Sequence, residues 1–252
     1  MLRKERLLVA LCLALLAAAA WVYLIYLRVT MPPDMDMPGM VMLDVRSWTA
    51  VDLGLLFVMW SVMMVAMMLP SAAPMVLAFV TLNQGRQSAG RPLLPVGFFL
   101  GGYLAVWTAF SAAATLAQWG LHQASVLSTM MESTSPVLNG AMLLAAGVFQ
   151  WTPLKRMCLS GCRSPLAFLM SEWRNGKQGA FVMGLRHGSY CLGCCWILMA
   201  LLFVTGVMNL FWVVVVALFV LAEKVLPGGE MLARATGIAL ALAGLTMIAR
   251  QF

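Results

Sequence analysis

Ionisable side chains are scarce in this 252-residue chain: nine are acidic, 16 are Lys or Arg and two are His, so charged residues make up only 10% of the total. So little charge cannot clothe a water-soluble globule of this size. The net charge of +7 raises nucleic acid as a ligand, but no basic patch interleaved with exposed aromatics is present, which argues against it. There is no G-x-x-x-x-G-K-[ST] loop for nucleotide phosphates. No loop is long enough to bury a core of its own, and no internal repeat stands out. These absences exclude a soluble catalytic domain and leave any transport passive, ion-coupled or dependent on handover to another protein.

Apolar residues, by contrast, make up 63% of the chain, and the mean hydropathy is +0.92. A membrane-spanning helix needs roughly 20 mostly apolar residues. Seven runs offer themselves: Leu7 to Leu27, then about Leu53 to Val80, Val96 to Ala117, Val137 to Trp151, Ala180 to Val207, Leu210 to Ala222 and Ala235 to Ala249. The expected fold is all-α, a polytopic transmembrane helical bundle forming a single domain over residues 1–252. Residues 1–28 read as an N-terminal anchor helix, 29–52 as a Met-rich outer loop and 53–252 as the core bundle. The first run is too long for a signal-peptide core and no small-residue cleavage site follows closely, so it reads as an uncleaved anchor. The fourth and sixth runs are short, which predicts tilt, re-entry or extension by their flanks.

With the N-terminus in the cytoplasm, the inner segments hold Arg3, Lys4, Arg6, Arg86, Arg91, Lys155, Arg156, Arg163, Arg174, Lys177, Lys224 and Arg234. Arg186 sits at the inner end of the fifth run, and only Arg28, Arg46 and Arg250 fall outside. This asymmetry supports the orientation and the count together.

The stretch "HGSYCLGCCW" (His187 to Trp196) carries the strongest chemical signal. Each residue of an α-helix advances about 100°, which sets Cys191, Cys194 and Cys195 at about 40°, −20° and 80° from His187 and Met183 at about −40°. All five share one face, and Trp196 points away from it. Thiolate, imidazole and thioether suit Cu(I), zinc and iron–sulfur chemistry, while calcium and magnesium want oxygen. Ionisable groups at that depth must face the bundle interior and have partners. Packing is the competing reading: Cys is a small hydrophobe when buried, and Gly188, Ser189 and Gly193 are the residues that let membrane helices approach closely.

A second thiol pair, Cys158 and Cys162, lies in "KRMCLSGCRSP", read as an inner loop. Lys155, Arg156 and Arg163 surround the pair and favour the thiolate. The reducing cytoplasm disfavours a permanent disulfide. Ser164 and Pro165 read as the N-cap and first residue of a short interfacial helix reaching Trp173. Folded under the bundle, it would let the pair exchange a soft metal with the buried face.

Methionine is abundant, at 22 residues. The outer loop "MPPDMDMPGMVMLD" interleaves Met31, Met35, Met37, Met40 and Met42 with Asp34, Asp36 and Asp44, a plausible collector of Cu(I) because thioethers bind it without ionising. Interfacial filling by an adaptable side chain competes with that reading. In the second run Met59, Met63 and Met67 follow at i, i+4 spacing with Asp52 at the outer end of their face. Pro70 and Pro74 are expected to kink or break that helix. Glu223 and Lys224 close the sixth run and read as paired or snorkelling, with Glu223 the alternative oxygen ligand or proton acceptor. His122, expected in the loop after the third run, reads as idle.

The stretches "AMMLPSAAPM" (Ala66 to Met75), "CRSPLAFL" (Cys162 to Leu169) and "HGSYCLGCCWILMALLFVTGVMNLFWVVVVALFVLAEKVLPGG" (His187 to Gly229) resemble a bacterial family of predicted metal-binding integral membrane proteins, a domain of unknown function. The resemblance covers about Leu53 to Met247 and implies a multi-pass protein of the bacterial inner (cytoplasmic) membrane with metal binding.

The leading functional reading is binding and handling, by transport or delivery, of a soft transition metal. The candidate ligands are His187, Cys191, Cys194, Cys195 and Met183, with Cys158 and Cys162 inside and Met63 and Met67 in the second run. The supply of thioethers ranks copper ahead of zinc and iron. The expected partners are membrane lipids, the metal ion and a periplasmic or cytoplasmic metal-carrier protein, with no nucleic acid. Two alternatives remain. One is a thiol–disulfide or quinone-linked membrane oxidoreductase exchanging Cys191 and Cys194, and the other is a non-catalytic subunit of a membrane metalloenzyme.

Overall fold

The computed structural model describes residues 2–30, 49–86, 93–123 and 135–251, and every regular element among them is an α-helix. In chain order these are α1 (Leu2–Thr30), α2 (Ala50–Arg86), α3 (Leu93–Gln123), α4 (Pro136–Phe149), α5 (Pro153–Arg163), α6 (Pro165–Ser171), α7 (Gly176–Ala200), α8 (Leu202–Thr205), α9 (Leu210–Val225) and α10 (Gly229–Ala249). The methionines and aspartates of the outer loop, Met31 to Asp44, lie outside the described residues.

Among the described residues five helices are long and apolar enough to cross a membrane: Arg3–Thr30, Ala50–Asn83, Leu93–Gln123, Gly176–Thr205 and Gly229–Ala249. A sixth crossing results if Pro136–Phe149 and Pro153–Arg163, bent by 63° to one another, count as one broken span. The departures from a simple count thus fall on the fourth and sixth runs: α4 is continued by the bent α5, and α9 has only 16 residues.

The prolines of α2 do not interrupt it. The helix runs through Pro70 and Pro74 as one element, so of the expected kink or break, a break does not occur. Proline removes a backbone donor from the ladder, and next to Pro70 two side chains supply extra donors to one carbonyl. Ser71 Oγ and Tyr103 Oη donate to the Met68 oxygen at 2.9 and 3.1 Å. The region read as an inner loop is likewise helical. Thr152 caps α5, its hydroxyl accepting from the Lys155 N–H at 3.2 Å, with Pro153 at the first helical position.

Small residues set how closely the helices meet. α3 and α7 make the most extensive contact in the bundle, and their backbones touch where side chains are missing. A Cβ at Gly184 would strike the Phe99 carbonyl oxygen, and one at Gly102 would strike Phe181 and lie 2.8 Å from the Leu185 nitrogen. The α4–α10 pair uses the same device: a Cβ at Gly147 would lie 2.6 Å from the Gly237 oxygen, and one at Gly140 would lie 2.9 Å from the Gly244 oxygen. In lipid, where apolar burial alone does not hold helices together, such close approach supplies the dispersion contacts that do.

Polar contacts then fasten α5 to α9. Lys155 Nζ donates to Glu223 Oε2 at 2.7 Å, both side chains being 1% exposed. The Arg163 guanidinium donates to the Leu226 and Pro227 carbonyls, just beyond the end of α9, at 2.7 and 2.9 Å. α6 buries Phe168 and Leu169 against the bundle and leaves Leu166 and Met170 exposed.

Two stability predictions follow from these contacts. Gly184→Ala overpacks the α3–α7 crossing, a change of about 1–3 kcal/mol, and should lower the midpoint of thermal unfolding in detergent. Gly54→Ala, with nothing within 4 Å of the added carbon, should leave that midpoint unchanged. Lys155→Met strands a buried carboxylate and should cost about 3–5 kcal/mol, while Lys155→Met combined with Glu223→Leu should recover most of the loss. A double-mutant cycle on thermal unfolding measures both.

Candidate metal centre

α7 carries the thiols into the centre of the bundle. Cys191, Cys194 and Cys195 are at most 1% exposed, and Met183 and His187 on the same helix are also buried, while Trp196 is exposed. A helical face of soft donors therefore turns inward. The donors do not all meet at one point, however, and other helices complete the set.

α5 brings in the second thiol pair. Because the C-x₃-C segment is helical, Cys158 and Cys162 lie one turn apart on a common face, and that face packs on α7. Gly193 makes the approach possible: a Cβ there would sit 2.7 Å from Cys158 Sγ. One turn on, Cys162 faces the same stretch of α7 near Cys191 and Cys194. With Cys195 buried beside those two, thiols from two helices share one neighbourhood. Cys158 stands beside it, close enough to Cys194 to interact electrostatically.

Three more helices close the site. From α9, Lys224 Nζ donates to Cys191 Sγ at 3.0 Å and to Ser71 Oγ of α2 at 3.1 Å. From α3, Tyr103 Oη lies 3.1 Å from Cys191 Sγ. From α2, Met68 Sδ lies 3.9 Å from Cys195 Sγ. Cys194 and Cys195 donate their S–H groups to the Cys191 carbonyl at 3.1 and 2.9 Å. The Cys191 sulfur is thus the point on which an ammonium and a phenol converge.

His187 and Met183 sit apart from this network. The His187 ring is sandwiched among aromatics, with its centroid 5.5 Å from Tyr103, 5.6 Å from Phe168 and 6.1 Å from Phe99, and its buried Nδ1 has no hydrogen-bond partner among the described residues. Met183 packs with Phe99, Phe168 and Leu69 in a separate apolar cluster. Of the α2 methionines, Met59, Met63 and Met67 belong to the same core cluster as the thiols, but Met68 is the one in contact with a thiol. Met59 and Met63 instead line a small cavity of about 20 Å³ with Met208, Arg28 and Val213. His122 lies in the last turn of α3, not in a loop.

The functional residues that the sequence reading missed are Lys224 as a thiol partner, Tyr103, Ser71 and Met68. A lysine inside an apolar run is itself a flag for a site, and that signal was legible. It was masked by Glu223 next door, which turns instead to Lys155. Thr152-Pro153 is as clear a helix start as Ser164-Pro165, and it would have put Cys158 and Cys162 on one face.

Among the described residues no group of three or more His, Cys, Asp or Glu side chains is arranged to hold a metal ion as it stands. The donor chemistry nonetheless fits a soft ion. The α7 thiols are buried, and a thioether, Met68 Sδ, lies 3.9 Å from Cys195 Sγ. Thiolate and thioether favour Cu(I), and the nearby Glu223 has Oε2 held by Lys155 while its buried Oε1 has no hydrogen-bond partner among the described residues.

No curated protein and no solved structure matches the chain. A family described as PpoB2, a copper chaperone, matches residues 57–247, a segment that contains every residue of the thiol network and its partners. The family assignment accords with the sulfur-rich donor set, and the chain belongs to the PpoB2 copper chaperone family.

Proposed function

We propose that this protein is a membrane-embedded Cu(I) handler that receives the ion on the Cys162, Cys191, Cys194 and Cys195 thiols, with Met68 as an accessory thioether, and passes it to a carrier protein. What supports this reading is that α5 packs its thiol pair against the buried thiols of α7, with the Met68 thioether 3.9 Å from Cys195. Two-coordinate sulfur ligation suits Cu(I), and exchange among neighbouring thiols lets the ion move without being released to solvent.

The finer architecture belongs to the same proposal. The chain crosses the bacterial inner membrane seven times with its N-terminus in the cytoplasm, α4 with α5 forming the bent fourth crossing and α9 a short sixth. Met59, Met63, Met67 and Met68 form a ladder of thioethers along α2, and Met208 joins its outer end at the small cavity. Met59 to Met68 spans about 14 Å at 1.5 Å per residue, enough to lead an ion from the outer side to the thiols. Cys158, next to Cys194, is the inner exit. His187, whose Nδ1 is unpartnered, is a further donor one turn along α7, with Met183 beyond it. The same contacts support thiol exchange between Cys162 and the Cys191–Cys194 pair as a second activity.

Titration of the purified protein with Cu(I) against a chromophoric chelator, in detergent under reducing conditions, tests the reading. About one tightly held ion per chain is expected. Cys191→Ser, Cys194→Ser and Cys162→Ser should each weaken binding at least about tenfold, ~1.4 kcal/mol, and His187→Ala should weaken it less. Binding that is unchanged in all three Ser variants would refute the thiol centre. Thiol trapping separates the exchange activity, which requires Cys191 and Cys194 to interconvert between reduced and oxidised forms.

A further inference from the structure

A lysine is an unexpected neighbour for a metal-binding thiol, since the ammonium repels the cation the thiols are to receive. Lys224 is 8% exposed, and its partners are Cys191 Sγ at 3.0 Å and Ser71 Oγ at 3.1 Å. Neither salt bridge among the described residues includes it. The adjacent Glu223 accepts from Lys155 at 2.7 Å and its charge also acts on Lys224, so one carboxylate serves two ammoniums and one net positive charge is left facing the sulfurs. A buried charge is tolerated only when something opposite compensates it. The compensation here has to come from the thiol network and whatever it binds.

Charge counting then distinguishes the ions that the same thiols could accept. Two thiolates with a monovalent ion carry one net negative charge, which the ammonium cancels. Two thiolates with a divalent ion are already neutral, and the ammonium is left as an unbalanced buried cation. Softness alone does not make this distinction, because monovalent and divalent soft ions both favour sulfur.

Resting on the thiol-centre reading above, we propose that Lys224 is a specificity-determining residue: its buried ammonium acts as the fixed counter-cation of an anionic two-thiolate complex and so selects monovalent soft ions over divalent ones. Lys224 does not ligate the ion. It stays on the outer face of the Cys191 sulfur, held by Ser71, and stabilises the loaded site by charge.

Ag(I) and Cd(II) isolate the effect, because both are soft and redox-silent and differ in charge. Their affinities are measured by competition titration of the full-length protein in detergent, for wild type and for Lys224→Met, Lys224→Gln and Lys224→Arg. The expected result for Met and Gln is at least about a tenfold loss of Ag(I) affinity, the scale of removing one partner from a buried charge pair. Cd(II) affinity should be unchanged or increased, and Arg should keep the wild-type ratio. A synthetic Tyr190–Trp196 peptide, which has the three α7 thiols and no ammonium, gives a reference that does not depend on a variant folding. Wild type should prefer Ag(I) to Cd(II) by a wider margin than this peptide does. Parallel losses for both ions, an unchanged ratio in the Met and Gln variants, or a peptide with the same preference as wild type would overturn the inference while leaving the thiol centre intact. Failure of wild type to bind either ion would overturn the thiol centre itself.

Discussion

A polar group buried in an apolar helical bundle has little water to turn to, and a partner within the protein lowers its cost. The α5–α9 end of this bundle is organised by that constraint. Lys155 meets Glu223, Arg163 meets the carbonyls just beyond the end of α9, and Lys224 meets Cys191 and Ser71. Each contact joins helices distant in sequence, and together they fix α5 and α9 against α2 and α7. The thiols are brought together as a consequence.

Close backbone approach supplies the other half of the arrangement. α7 packs so tightly on α3 through Gly184 and Gly102 that Tyr103 reaches both the Met68 carbonyl and the Cys191 sulfur. On its opposite side, α7 has only hydrogen at Gly193, where Cys158 is seated. One helix is therefore thinned on two faces, and both thinnings serve the thiols. The glycines around "CLGCC" set how closely α3 and α5 approach the cysteines within it.

The long helices were legible in the sequence because an apolar run of 20 or so residues has few alternatives in a membrane. α1, α2, α3, α7 and α10 follow those runs. α5 was not, because its pattern is mixed and its charges suggested a loop, when Lys155 and Arg163 are committed to partners on α9. Pro70 and Pro74 were expected to kink or break α2, and the helix continues through both. Helical periodicity placed His187 and three thiols on one face. It could not reveal that the imidazole would be enclosed by three aromatic rings, a turn away from the sulfur network.

What the sequence by itself determined is the solvent and the chemistry: a chain too apolar for water, and a helical face of sulfur donors whose softness points to copper-like ions. Periodicity within one helix follows from backbone geometry alone, so it is visible without any partner. Only the tertiary structure decided which donors share a point, because convergence depends on where separate helices cross. The glycine contacts and the buried Lys155–Glu223 pair help set those crossings, which bring Lys224 to Cys191 and Met68 to Cys195 while leaving Met183 in another cluster.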